Sequence, residues 1–242
     1  MTGVGPPQPF PTPPPGWWGG GPPQMLARDR VRAAWWRRSE TDYLFSYWSA
    51  LGWTILTLGV YSLYVIYQLV RRMRDHNARR LELFDAALTV AWDQAGTRGV
   101  QEELTPSFQR AAAHMNVMRQ MTTDFRDPVI WVVLAIVARG ITDLIAFVLL
   151  DQDLVRHDQA EIGVECELSL IYGRLGQSVP MPDQNRVKGR DNYAGRIVAS
   201  VLTLGIYLFW WYHDQMVVPN RHFQANWPQE DALAHAVEAL AA

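Results

Sequence analysis

The sequence predicts an all-α integral membrane protein with two or three related hydrophobic helices. Three observations carry this. The stretch from Tyr43 to Val70 runs 28 residues without a charged side chain. Two further hydrophobic segments follow, at 128–150 and 193–218. Between them the apolar residues keep helical spacing.

Residues 1–24 are dense in Pro and Gly, with Trp17 and Trp18 the only large aromatic pair. Proline removes donors and glycine is costly to order, so a disordered tail is expected. Pro11-Thr12-Pro13-Pro14 is also the kind of text that a polyproline-binding groove accepts. The start has no basic n-region and no apolar h-region, so no cleavable signal peptide is expected. The first hydrophobic segment would then act as an uncleaved signal anchor.

Residues 25–42 carry Arg28, Arg30, Arg32, Arg37 and Arg38 around Trp35 and Trp36. Directly before a hydrophobic segment, this reads as a juxtamembrane helix, with arginine reaching lipid phosphate and tryptophan at the headgroup level. The first membrane repeat occupies 43–80. Its hydrophobic part exceeds the roughly 20 residues that span a hydrocarbon core, Gly59 is a plausible bend, and Arg71, Arg72, Arg74, Arg79 and Arg80 follow. Residues 81–126 read as two amphipathic helices, one on Leu81, Phe84, Ala87, Leu88 and Ala91, the other on Phe108, Ala111, Met115 and Met118. They are broken at 95–99, with Thr105-Pro106 as an N-cap and first-turn proline.

Residues 127–176 combine the middle hydrophobic helix with a polar extension. Arg139 and Asp143 interrupt the apolar run four residues apart, where a helix would let them pair. A charge in a membrane faces protein or water, so this pair is the candidate functional pair, either part of an ion path, a structural salt bridge between packed helices, or the mark of a helix that lies in the interface instead of spanning. Glu161, Glu165 and Glu167 fall in the polar extension and read as a solvated face. Residues 177–192 are a loop with Arg186, Lys188 and Arg190. The last membrane repeat and a C-terminal helix fill 193–242, with Pro219 expected to stop or kink the helix and an alanine-rich helix at 229–241.

The segments share a pattern. Thr57-Leu58-Gly59-Val60-Tyr61 recurs as Thr203-Leu204-Gly205-Ile206-Tyr207, and His76 and His222 each stand seventeen residues after the glycine. Gly140 and His157 keep the same spacing, although the middle copy lacks the Thr-Leu and the tyrosine. The repeat-equivalent positions are therefore Gly59, Tyr61, His76, Gly140, His157, Gly205, Tyr207 and His222. Such a unit cannot bury its apolar face alone and needs its copies or a second chain.

The two motif copies resemble the TLGIY segments of a bacterial membrane family, domain of unknown function 4234. The resemblance covers 53–80 and 197–227, about a quarter of the chain. It implies a hydrophobic helix closed by a TLGIY-like turn, a location in the bacterial cytoplasmic membrane, and no established activity. No catalytic residue carries over from it.

Composition sets the function classes. Lys and Arg number 22 against 24 Asp and Glu, a net charge of −2 with pI near 6.3, which argues against a nucleic-acid partner. A mean hydropathy of −0.10 fits few spans and much polar helix. Eleven Trp and nine Tyr suit a membrane–water interface. The single Cys166 allows no internal disulfide and no cysteine zinc site. There is no Walker-type loop, GxSxG elbow, HExxH or paired-acid motif, so no catalytic, cofactor-binding or metal-ligating residue is assigned and no enzyme is expected. His76, His157 and His222 could hold zinc if brought together, but equivalent positions on separate units need not meet.

Three spans are the expected topology, although the basic clusters at 28–38 and 71–80 would then lie on opposite sides, against the positive-inside rule. A first segment that enters and leaves on one face is the alternative, with only partial penetration. The expected function is a non-enzymatic membrane scaffold or accessory subunit, with membrane lipid and a protein partner or homo-oligomer as its contacts. A small channel or transporter using Arg139 and Asp143 is the alternative, and a metal-dependent membrane enzyme is third.

Overall fold

The computed structural model describes residues 25–183, 186 and 189–241. The expectations for the 1–24 tail and for Lys188 lie outside the described residues. Among those residues every regular element is an α-helix. Helix α1 (Ala27–Trp36) and the single-turn α2 (Arg38–Thr41) lead to α3 (Tyr47–Leu56) and the long α4 (Tyr61–Thr97). Then come α5 (Gln101–Thr123), α6 (Pro128–Val137), α7 (Ile141–Arg174), α8 (Tyr193–Leu202) and α9 (Ile206–Ala241).

The three spans expected from hydropathy are not formed. No helix among the described residues is long and apolar enough to cross a membrane. Each hydrophobic segment is instead a hairpin: a ten-residue helix, a tight turn, and the start of a long helix. The turns centre on Gly59, Gly140 and Gly205, all at positive φ (91°, 81° and 91°). A helix cannot continue through that backbone conformation, so the charge-free run from Tyr43 to Val70 folds back on itself.

The Thr-Leu-Gly motif is the turn itself. In the first copy, Gly59 N–H donates to Thr54 O at 2.7 Å and Leu58 N–H to Ile55 O at 3.1 Å, the two bonds of a Schellman helix stop. Thr57 Oγ1 then accepts from Tyr61 N–H at 2.9 Å, satisfying a donor at the start of the next helix. The third copy repeats this with Gly205 to Ser200 at 2.8 Å, Leu204 to Val201 at 3.1 Å, and Tyr207 N–H to Thr203 Oγ1 at 3.0 Å.

Beyond the hairpins the long helices build the body in layers. Nearest the turns is an apolar cluster of Val65, Leu69, Met73, Phe147, Leu150, Trp211 and Phe223. At the far end is a second one, built on Phe84, Ala87, Phe108, Met115, Val164, Leu168, Tyr172 and Leu233. A buried polar layer separates them, with His76, Arg79, Arg80, His157, Glu161, Glu165, His222, Asn226 and Glu230.

Several local expectations change. Arg30 pairs with Asp85 at 2.8 Å, Arg38 with Asp231 at 2.7 Å, and Arg37 with Glu82. Residues 25–42 therefore dock on the far halves of α4 and α9, where acidic partners on those helices meet the arginines. Helix α5 begins at Gln101, so Thr105 and Pro106 lie inside it and not at its cap. The N-cap found by structure is Asp127, whose Oδ1 accepts from Val129 N–H at 2.7 Å ahead of Pro128. Pro219 and Pro228 do not end α9, so the alanine-rich 229–241 stretch is its last part. At Pro219 the missing N–H leaves the Gln215 carbonyl without its helical donor. Arg72 supplies the replacement, donating to Gln215 O at 2.6 Å.

Candidate functional site

Two features distinguish the molecule, and the geometry of one requires the other. Each turn glycine precedes its histidine by seventeen residues of helix, roughly 25 Å at about 1.5 Å per residue. Val65, Phe147 and Trp211, six or seven residues past the turn glycines, share one cluster and the three histidines meet beyond it, so the helices run in one direction and the three turns lie at the same end of the molecule.

That end is apolar and open. Ile55, Leu56 and Val60 surround the first turn, Ile136, Val137 and Ile141 the second, and Val201, Leu202 and Ile206 the third, all exposed. Leu58 and Leu204 form the apices at 94% and 95% exposure. Both have φ of 49°, in the left-handed region that an L side chain other than Asn or Asp seldom adopts. Tyr61 and Tyr207 follow the turns; the Tyr61 ring lies 5.2 Å from that of Tyr64 and 6.3 Å from that of Trp53.

Arg139 and Asp143 do not form an ion pair in this structure. Arg139 lies in the turn before Gly140, where the helix has already ended, and the four-residue face-sharing that suggested the pair is lost. Its guanidinium donates to Gly59 O at 2.7 Å and to Ser62 Oγ, which ties the second hairpin to the first.

In the polar layer, His76 from α4, His157 from α7 and His222 from α9 are mutual neighbours, with ring centroids 5.3 to 5.7 Å apart. Glu161, one turn beyond His157, completes the group: one donor atom from each of the four lies within 4.8 Å of the others. His157 Nε2 is 3.5 Å and His76 Nε2 4.0 Å from Glu161 Oε1, and His222 Nε2 is 3.4 Å from Oε2. On its other nitrogen, His76 Nδ1 donates to Asp42 Oδ1 at 2.8 Å, which leaves Nε2 as the lone-pair nitrogen. Burial drives the His76 pKa down to about 3, against the opposing pull of Asp42. The ring is therefore neutral at physiological pH.

Arginines from α4 and the 177–192 loop surround the histidines. Arg79 pairs with Asp42 at 2.8 Å and Glu230 at 2.9 Å. Arg80 holds Glu161, Glu165 and, at 2.8 Å, Glu230. Arg186 reaches Asp158 at 3.1 Å, Glu161 at 3.1 Å and Glu165 at 2.7 Å. Glu161 and Glu165 are thus fully buried and Glu167 nearly so. They are not a solvated face, because Arg80 of α4 and Arg186 of the loop replace water around Glu161 and Glu165, and Arg110 of α5 pairs with Glu167. Burial pushes Glu165 up to about 7, and the neighbouring Glu161 adds to the rise while Arg80 and Arg186 oppose it. Sequence reasoning missed Asp42, Asp158, Glu161 and Arg80. The four-residue spacing of His157, Glu161 and Glu165 was a signal that could have found two of the carboxylates.

No protein-family model matches the chain, and neither a curated protein nor a solved structure is similar to it.

Proposed function

We propose that this chain is a monotopic scaffold of a bacterial cytoplasmic membrane, seated in one leaflet by its three hairpins and presenting the long helices to a partner at the surface. The observation that carries this is the residue at the helix-stop position. Where α4 and α7 end at the far pole, Gly99 and Gly176 take the left-handed position of the Schellman stop. At the two hairpin apices the same backbone position holds Leu58 and Leu204. Glycine costs nothing there and leucine does, so fold alone would select glycine. An apolar medium around the apex offsets the strain.

The dimensions agree. Ten-residue helices are about 15 Å long, half of a hydrocarbon core of about 30 Å. Trp48, Trp53 and Trp210 stand exposed along the hairpins, as aromatic rings do at a headgroup boundary. Exposed apolar surface of this extent marks a contact with lipid or protein. A bilayer suits three apolar apices that share one end, with the Arg139 guanidinium of the second one held by Gly59 O and Ser62 Oγ.

Flotation on phosphatidylcholine–phosphatidylglycerol vesicles after detergent removal is the test. The full chain should float, and the Leu58→Asn/Leu204→Asn double variant should partition at least about tenfold less, since burying one leucine is worth about 1.5–3 kcal/mol. A chain that remains in the dense fraction as a defined oligomer, or a double variant that floats like the parent, overturns the reading.

A further inference from the structure

The polar layer holds more carboxyls than guanidiniums. Among the described residues, Asp42, Asp158, Glu161, Glu165 and Glu230 face Arg79, Arg80 and Arg186 in one connected set of ion pairs. In that set the carboxyls outnumber the guanidiniums by two. An uncompensated buried charge is expensive and is ordinarily paired or bound to a metal.

The same layer contains polar atoms with no partner. His76 Nε2 and both ring nitrogens of His157 are buried and accept or donate no hydrogen bond. His76 and His157 are 0% exposed. Leaving such atoms unsatisfied costs free energy unless something fills the space among them.

We propose that His76, His157, His222 and Glu161 bind one divalent first-row transition-metal ion, of which zinc is the expected occupant, in a closed structural site. Three imidazoles and a carboxylate suit zinc and its neighbours in the series, whereas calcium and magnesium prefer all-oxygen sets. The surrounding carboxylates are placed as outer-shell partners of ligating histidines. Asp42 holds His76 Nδ1 at 2.8 Å, and Asp158 Oδ1 lies 3.4 Å from His222 Nδ1. The Asp42 contact turns the Nε2 of His76 toward the centre and raises its basicity. Glu161 accepts from Arg186 and Asn226 on Oε2 and from Arg80 on Oε1, so Oε1 has a second lone pair for the ion.

Access exists beside His222, where a cleft of about 290 Å³ is lined by Asp158, Arg186, His222 and apolar residues of α7 and α9. The ligands come from the three repeat units, so the ion joins all three at one point. With four protein ligands the site matches the closed coordination of structural zinc, not the open position of a catalytic one. The inference does not depend on the membrane reading.

Metal analysis of the full chain purified in detergent, before and after chelator treatment, tests it, followed by titration with Zn2+ and Co2+. The expected result is one tightly bound equivalent and a Co2+ visible spectrum of tetrahedral intensity. Affinity should fall by at least about tenfold for His157→Gln, and by about 10- to 100-fold for Asp42→Asn, while His235→Gln on the exposed end of α9 leaves it unchanged. Circular dichroism of each variant separates loss of the ion from loss of fold. If chelated, helical parent protein takes up neither ion, or if His157→Gln binds like the parent, the site is refuted. Where a variant fails to fold, the parent's stoichiometry and Co2+ spectrum decide between a bound ion and none.

Discussion

Arg72 donates to the Gln215 carbonyl at 2.6 Å, on the one turn of α9 where Pro219 cannot. The same guanidinium reaches Asn220 Oδ1 at 2.9 Å and lies 4.7 Å from the centre of the Phe45 ring. The two terminal nitrogens of this buried arginine, which has no carboxylate partner among the described residues, are thereby placed on carbonyl and amide oxygens. A proline in the middle of a long helix is tolerated by the same contact.

The pair should be coupled. Arg72→Met leaves the Gln215 carbonyl buried and unpartnered, and is expected to destabilise the chain by about 2 kcal/mol. Pro219→Ala restores the helical N–H, so in the Arg72→Met background it should recover part of that loss. Thermal unfolding in detergent of the parent, both single variants and the double variant gives the coupling. Strict additivity would falsify the compensation.

The turn glycines should differ in cost. A Cβ at Gly59 would lie 3.1 Å from an Arg139 nitrogen, whereas at Gly205 the nearest atom is Leu208 Cδ1 at 3.9 Å. Both glycines have φ near 91°, so alanine is strained at either. Gly205→Ala should cost about 1 kcal/mol. Gly59→Ala should cost more, because it also displaces the Arg139 contact. Melting temperatures in one detergent decide it, and equal shifts would mean that Arg139 yields freely.

At the apices, stability and membrane binding should move in opposite directions. Asparagine tolerates the left-handed conformation better than leucine. Leu58→Asn and Leu204→Asn should each leave fold stability in detergent unchanged or raise it by up to about 1 kcal/mol, while lowering vesicle binding. A clear drop in the denaturation midpoint would show that these leucines serve the fold and not the medium.

Arg80 should be among the least replaceable residues. It is fully buried and bonded to Glu161, Glu165 and Glu230. Arg80→Met removes the common counter-charge of three carboxylates, and breaking a buried pair from one side costs about 3–5 kcal/mol. Chemical denaturation should show that loss, whereas Arg32→Met, at a half-exposed pair with Glu238, should change stability by less than about 1 kcal/mol.

Much of the local structure was legible from residue patterns. Helical spacing marked 81–126, whose first helix is the continuation of α4 and not a separate one, the 95–99 break ends α4 after Thr97, and the shared seventeen-residue spacing linked Gly59, Gly140 and Gly205 to their histidines. The hairpins were not legible as hairpins. Hydropathy sums side chains over a window, and the run from Tyr43 to Val70 has the same sum straight or folded back. The difference lies in the left-handed backbone of Leu58 and Gly59, and nothing about leucine announces that conformation. Pro219 misled for the opposite reason: its missing N–H was visible, but the Arg72 side chain that compensates lies on another helix.

The sequence by itself determined that the chain is helical, that its apolar residues fall into three related segments, and that a glycine, a histidine and a fixed length of helix between them recur in each. These follow from periodicity and backbone chemistry, which act between near neighbours. Only the tertiary structure decided that the segments turn back instead of crossing, that Arg139 meets Gly59 instead of Asp143, and that His76, His157 and His222 share one buried layer with Glu161. Those outcomes depend on which side chains from distant parts of the chain replace water around each polar group, and that is fixed when α4, α7 and α9 pack together.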